Sequence, residues 1–410
     1  MGPRHVEHLL IGGGLACATA AATLRERGAD GSIILVGREP EAPYHRPPAS
    51  KGYLQGKETH EQALVHPSEW WKENEIELLT RTSVTAIDGD ARTATLSNGE
   101  TLSFATALIA TGANVRRLQV DGSGLEGIHY LRTLANADSI RSDVEGAERA
   151  VLVGGSYIGC EVAASLTELG LHCTIVMQEE HTLERGFGAQ AGSFFQGVLE
   201  SHGIEVVGGD EVERFEGDER VARVVTRGGR TIDAQLVVCG VGAIPDVTLA
   251  RKAGLVLGEL GGVLTGPQLE SSLPGLFVAG DICEYESRLH GRVLRVEHWD
   301  VAAQQGRTAA LNMLGEEVAH DVIPYFFSDL SDWASLEYVG PAQRWDTEIV
   351  RGSIEEGEFS IFYLDRGRVA AALSVGRSDD LAHARRWITA GTSIADTAVL
   401  ADVEAELTAV

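Results

Sequence analysis

Two short stretches carry the residue types that hold a dinucleotide phosphate: LLIGGGLAC from Leu9 to Cys17 and VLVGGSYIGCE from Val151 to Glu161. In each, an apolar strand runs into glycines and then into small residues suited to a helix. Glycine lets the backbone approach a pyrophosphate, whose charge faces the N-terminus of the helix that follows. In the first turn Gly12, Gly13 and Gly14 supply that freedom, and Cys17 stands where a third glycine is usual. That place only needs a side chain small enough for helix to pack on strand. The second turn reads Gly154, Gly155, Ser156, Tyr157, Ile158, Gly159, with serine in place of the middle glycine.

An acid at the end of the next strand accepts hydrogen bonds from a ribose, and Glu39 occupies that place in the first half. In the second half the strand ends at Met177, and Glu179 and Glu180 follow directly. An acid there pairs with a ribose 2′-hydroxyl and repels a 2′-phosphate, and the nearest arginine is Arg185, so NADH is favoured over NADPH.

The elements that must position these residues can be read from periodicity. The first half gives a strand (HLLI), the glycine turn, a helix over 18–27 and a strand (SIILV). The proline-rich EPEAPYHRPPASKGYL is expected to lack regular structure. Short alternating segments follow, TSVTAID and ARTATLSNGE, with a hairpin turn expected at Asn98 and Gly99. The apolar ATALIATG closes this part. The second half opens at RAVLVGG, continues as a helix over 158–168 stopped by Gly170, then the strand HCTIVM and short strands through ERVARVVTRGGRTIDAQLVVCGVG. The region 119–245 therefore repeats the plan of the first at domain scale. LPGLFVAGDI reads as a buried strand, EHWDVAAQQGRTAALNML as a helix ended by Gly315, and residues 321–410 as short strands before a helical end.

Composition limits the function classes. The chain has 410 residues, long enough for two or three domains. Its net charge of −26 argues against nucleic acid or an anionic membrane as partner. It has no long apolar run, and MGPRHVEHLL lacks a secretory pattern, so a cytoplasmic protein is expected. The five cysteines (Cys17, Cys160, Cys173, Cys239, Cys283) are scattered, with neither a redox dithiol nor a metal-knuckle spacing. They read as buried small residues, no metal is expected, and disulfide reductase chemistry is excluded. Only four lysines are present, so Lys51 within a motif stands out.

Several motifs together resemble the flavin-dependent pyridine nucleotide reductases of the ferredoxin reductase and apoptosis-inducing-factor type. They are YHRPPASKGYL at 44–54, LIATGA at 108–113, LRTLANAD at 131–138, GLFVAGDI at 275–282 and EHWDVAAQQG at 297–306. The resemblance implies an α/β fold with two Rossmann-like domains of the glutathione-reductase-like plan and a smaller α+β C-terminal domain. It implies FAD on a discontinuous domain, 1–118 and 246–320, NAD(P)H on 119–245, and an interface domain over 321–410.

Residue by residue, it implies FAD contacts at Gly12, Gly14, Leu15, Ala16, Glu39, Arg46, Val84, Ala110, Thr111, Gly112, Arg132, Gly280 and Asp281. It implies nucleotide contacts at Gly154, Gly155, Ser156, Tyr157, Ile158, Glu179 and Gly242. Lys51 would lie beside the reactive edge of the flavin, with Glu161 as its carboxylate partner and as a holder of the nicotinamide carboxamide. Glu297, His298 and Trp299 would line the nicotinamide site, with Trp299 as a planar wall.

The function implied is hydride uptake from NADH onto FAD and single-electron delivery to a small iron–sulfur protein, by a monomer or homodimer. Two other readings stay open: an NADH oxidase or diaphorase that uses oxygen or a quinone, and a flavoprotein whose main role is binding NADH. The stretch PYFFSDLSDWASLEYVG departs from the reductase pattern and is the expected docking region. Arg288, Arg292, Arg295, Arg377, Arg385 and Arg386 are candidates for a local basic patch that receives an acidic partner.

Overall fold

A computed structural model of the chain describes residues 3–409; Met1, Gly2 and Val410 lie outside it. Two compact units are present. The first runs from the first described residues to His45 and takes in Glu61–Asn114 and Ile244–Pro324, and the second comprises Arg46–His60, Val115–Ala243 and Tyr325 to the last described residues.

The first unit is built on parallel strands in the order Ile76–Leu79, Ile33–Val36, Arg4–Ile11, Thr101–Ile109 and Leu276–Val278. Ile33–Val36 and Leu276–Val278 are buried throughout, as strands covered on both faces must be. Thr93–Leu96 and Val84–Asp88 extend this sheet with antiparallel strands. Gly99 takes the positive φ of +88° that their hairpin connection to Thr101–Ile109 needs.

The second unit repeats that order with Glu205–Val207, His172–Val176, Arg149–Val153, Leu236–Cys239 and Ile128–His129, all parallel. In both units the third, second, first and fourth strands lie side by side, and a fifth from elsewhere in the chain flanks the fourth. A three-stranded antiparallel meander, Val212–Gly217, Val221–Thr226 and Thr231–Asp233, stands where the first unit has its antiparallel strands. The duplication expected from sequence is thus a duplication of sheet order. The unit also carries a five-stranded antiparallel sheet, Tyr325–Leu330, Ala334–Val339, Arg368–Val375, Glu358–Asp365 and Thr347–Ser353 in spatial order, with the helix Ser378–Ala390.

Three features differ from the sequence reading. The proline-rich segment contains a 3₁₀ turn over Pro47–Ser50, because the ring-fixed φ of adjacent prolines suits a tight helical turn. Residues 325–339 form a hairpin. The segment Arg46–His60 and the C-terminal sheet cluster with the Val115–Ala243 region and not as the sequence division had them. Directional bonds account for this. Arg46 Nη1 donates to the Arg132 carbonyl at 2.8 Å, Tyr53 Oη to Asp138 at 2.9 Å, and Tyr363 Oη to the Phe187 carbonyl at 2.7 Å.

Candidate active site

The first cradle lies at the C-terminal ends of the parallel strands. Gly12 holds φ +142°, and a Cβ there would meet the carbonyl oxygen of Ala110 at 2.1 Å. Ala110 donates its N–H to the Ile11 carbonyl at 2.8 Å, so the Ala110–Gly112 loop sits against the turn. Thr111 Oγ1 donates to the Asp246 carbonyl at 2.7 Å, and Asp246 N–H returns a bond to Gly112 at 2.8 Å. The helix Leu15–Glu26 starts directly after Gly14, three residues earlier than its small-residue pattern advertised. Cys17 is fully buried, and burial pushes its thiol pKa up. Glu39 follows the second strand and accepts the Tyr44 hydroxyl at 2.5 Å. Val84 opens an antiparallel strand at the edge of the core.

Asp281 lies in the short 3₁₀ turn Gly280–Ile282, which opens with Gly280 at φ +75° after the buried strand Leu276–Val278. Behind it, Gly280 N–H donates to Gln305 Oε1 at 2.8 Å. Gln305 is fully buried, and its Nε2 donor has no hydrogen-bond partner among the described residues. Gln305 belongs to the helix Trp299–Met313, which crosses the first helix so tightly that a Cβ on Gly306 would meet the Ala16 carbonyl oxygen at 2.2 Å. His298 is the N-cap of this helix, Trp299 its exposed first residue, and Glu297 is ion-paired with Arg295. Trp299 Nε1 donates to His45 Nδ1 at 3.0 Å.

The second cradle has the same backbone. Gly154 holds φ +107°, and a Cβ there would meet the Gly240 carbonyl oxygen at 2.5 Å. Ser156 is the N-cap of the helix Tyr157–Glu168, and its hydroxyl donates to the Gly240 carbonyl at 3.2 Å. Gly155 is pressed against the Met177 side chain, and Gly159 closes on the Gly154 carbonyl. Gly242 matches Gly112 as a positive-φ glycine after the fourth strand. Ile158 follows Tyr157 in the first turn of the helix. Glu179 lies half-buried in the loop after His172–Val176, where its carbonyl accepts from Gly209 at 3.0 Å.

This helix also carries the reactive cluster. Glu161, 5% exposed, lies one turn inside it, and Lys51 Nζ stands 3.3 Å from Glu161 Oε1. The hydroxyls of Ser50 and Ser328 each donate to one Glu161 oxygen at 2.6 Å. Lys51 Nζ also reaches Asp329 Oδ2 at 3.0 Å and lies 4.6 Å from the Phe327 ring centroid. Asp329 in turn accepts from Ser335 at 2.6 Å. One helical turn below Glu161, Ser165 Oγ donates to the Ser50 carbonyl at 2.7 Å, stitching the Lys51 segment to the same helix face. Burial raises the Glu161 pKa, and Lys51, Ser328 and Ser50 partly offset it.

The Lys51–Glu161 pair is thus in place. Asp329, Ser328 and Ser50 were missed, although the first two lie in the stretch singled out as a departure. Lys51 and Asp329 are 278 positions apart, so no local spacing joins them. Of the candidate arginines, two are committed internally. Arg295 donates to the Leu260 and Asp281 carbonyls, and Arg377 pairs with Asp380. Arg385 lies over the Tyr325 ring at 5.4 Å, and Arg386 bonds His383.

The chain matches the family described as pyridine nucleotide-disulphide oxidoreductase over residues 6–306 and the reductase C-terminal family over residues 325–410. It is 34% identical to the 5,5'-dehydrodivanillate O-demethylase ferredoxin reductase subunit of Sphingobium sp. (strain NBRC 103272 / SYK-6), covering 98% of both chains. The chain belongs to the pyridine nucleotide-disulphide oxidoreductase family. It is also 32% identical to the anthranilate 1,2-dioxygenase system ferredoxin–NAD(+) reductase component of Burkholderia cepacia, with 96% of each covered. Its fold superposes on the reductase in the covalent putidaredoxin reductase–putidaredoxin complex with a TM-score of 0.92 at 33% identity, covering 98% of this chain and 97% of that one.

All five cysteines are free and buried. As an oxidoreductase of this family the protein uses FAD and NAD(H). The residues fit such groups: two glycine cradles that a single Cβ would fill, and the orphaned Gln305 donor behind Gly280.

Proposed function

We propose that the protein is an NADH-dependent ferredoxin reductase, with FAD held by the first cradle and NADH by the second. The buried Lys51–Glu161 pair, clamped by Ser50 and Ser328, is the observation that carries this reading. FAD supplies the ability to take two electrons with a hydride and release them singly. Lys51 keeps a fixed positive charge where negative charge develops. Glu161 neutralises that lysine at rest and offers a carboxylate to the nicotinamide carboxamide, while Asp329 retains the ammonium. The helix Trp299–Met313 begins after its N-cap His298 and carries the positive end of its dipole there.

A small iron–sulfur protein is the acceptor we infer, on the strength of relatives that match along their whole length. Because the chain carries a net charge of −26, an acidic ferredoxin needs a local basic face, for which Arg385 and Arg386 on Ser378–Ala390 are the candidates. A cytoplasmic location suits five unpaired, buried cysteines. Among the described residues no helix is long and apolar enough to cross a membrane.

The test is anaerobic reduction of the flavoprotein by NADH, followed by mixing with a [2Fe–2S] ferredoxin, oxygen or a quinone. Reoxidation by ferredoxin well ahead of the other two is expected. Equal or faster reoxidation by oxygen or quinone would replace this reading with an NADH oxidase or diaphorase.

A further inference from the structure

The Trp299–His45 contact has a direction that chemistry fixes. An indole nitrogen only donates, so the 3.0 Å bond requires a lone pair on His45 Nδ1 and places the imidazole proton on Nε2. A protonated His45 offers no acceptor and turns an N–H toward an N–H. The two rings stand 5.5 Å apart at 48°, and both residues belong to the first unit. His45 is itself anchored: its backbone N–H donates to the Ala63 carbonyl at 2.8 Å, and Tyr44 beside it is buried and paired with Leu64.

The groups around the imidazole favour its neutral form. Burial lowers the His45 pKa. His66 is the titratable neighbour, its own pKa lowered by burial first and by His45 second, and raised by Glu26. His66 is fixed in turn, stacked on Trp70 at 3.7 Å and edge-on to Trp71 at 5.6 Å. Arg46 follows His45 in the chain, and His298 and Asp300 flank Trp299 on its helix. Burial of His45, beside a second imidazole that is itself held neutral, leaves His45 as an acceptor near neutral pH.

We propose that His45 is a positioning residue for hydride transfer: its neutral imidazole holds the Trp299 indole in the orientation that flanks the nicotinamide, and protonation releases it. This rests on the reading of Trp299 as a wall of the nicotinamide site. It makes the acid side of the NADH reaction depend on a residue outside the Lys51–Glu161 pair.

The test combines two measurements. The first is an NMR titration of the His45 imidazole in the wild-type flavoprotein and in Trp299→Phe, without NADH. The second is stopped-flow reduction by NADH of wild type, His45→Phe and His45→Gln over about pH 5 to 8. Losing the indole donor removes an interaction with neutral imidazole, so the His45 pKa should rise in Trp299→Phe. At neutral pH, His45→Phe should reduce about fivefold more slowly, the loss of one neutral hydrogen bond. The acid limb of the wild-type profile should vanish in both His45 variants, and His45→Gln, whose amide oxygen accepts, should retain most of the neutral-pH rate. An unchanged titration in Trp299→Phe would overturn the hydrogen bond itself. A shifted titration with unchanged rate and pH profile in His45→Phe would overturn the proposal by removing Trp299 from the nicotinamide site.

Discussion

At Gly12 an added Cβ would meet the Ala110 carbonyl at 2.1 Å, and at Gly154 one would meet the Gly240 carbonyl at 2.5 Å. Both turns thus press a strand-end carbonyl against a glycine, and Gly112 and Gly242 follow in matching places. Beyond the turns the two helices diverge. Leu15–Glu26 is locked under Trp299–Met313 at Gly306 and carries no acidic residue in its first turn. Tyr157–Glu168 instead carries Glu161, bonded to Ser50 and Ser328. One frame, used twice, thus serves once as a holder and once as a holder that also delivers a carboxylate. Electrostatic work is concentrated on the second copy.

Exchanging glycine for alanine should separate the two copies most sharply. Gly12→Ala should lower bound FAD about tenfold or more, read from flavin absorption against protein absorption, because the positive φ and the carbonyl contact leave no room. Gly154→Ala should stay yellow while its reduction by NADH slows by a similar factor in stopped flow. A colourless Gly154→Ala would break the division of labour.

Lys51→Ala probes the delivered carboxylate. It leaves Glu161 buried without its countercharge, at a cost of about 3 kcal/mol in urea unfolding, and should slow flavin reduction about 100-fold with FAD retained. The pH dependence follows in sign. Burial raises the Glu161 pKa in the folded state, so its contribution to stability is complete below the unfolded carboxyl pKa and is lost as pH rises through the folded value. Urea midpoints should therefore fall more steeply with rising pH in Lys51→Ala than in wild type.

Smaller effects sharpen the comparison. Glu179→Gln should improve NADPH relative to NADH about fivefold in kcat/KM, the scale of one water-screened charge repulsion. Cys17→Gly tests the third-glycine place of the first copy. It should keep FAD and cost about 1 kcal/mol in thermal unfolding, since that place asks only for a small residue.

The sequence made the holders legible and left the clamp hidden. Glycines, short apolar strands and small helix residues are local signals, so both cradles, Gly170 and Gly315 as helix stops and the hairpin at Gly99 could be read directly. The pairing of Lys51 with Glu161 was reached through resemblance, and Asp329, Ser328 and Ser50 were not reached at all. Their bonds join three segments far apart in the chain, and a serine hydroxyl leaves no periodic trace. Arg295 failed as a surface candidate for a related reason: its partners are backbone carbonyls of Leu260 and Asp281, which composition cannot reveal. The clustering of Arg46–His60 with Val115–Ala243 left no sign in the sequence, because the segment follows the first cradle in the chain but spends its hydrogen bonds on Arg132, Asp138 and Glu161.

The central claim is that the carboxylate on the second helix takes part in hydride delivery, and Glu161→Gln tests it most directly because the amide keeps the shape and removes the charge. With saturating NADH under anaerobic conditions, the variant should bleach its flavin about tenfold or more slowly than wild type while holding the same amount of FAD. Bleaching at the wild-type rate would contradict the account.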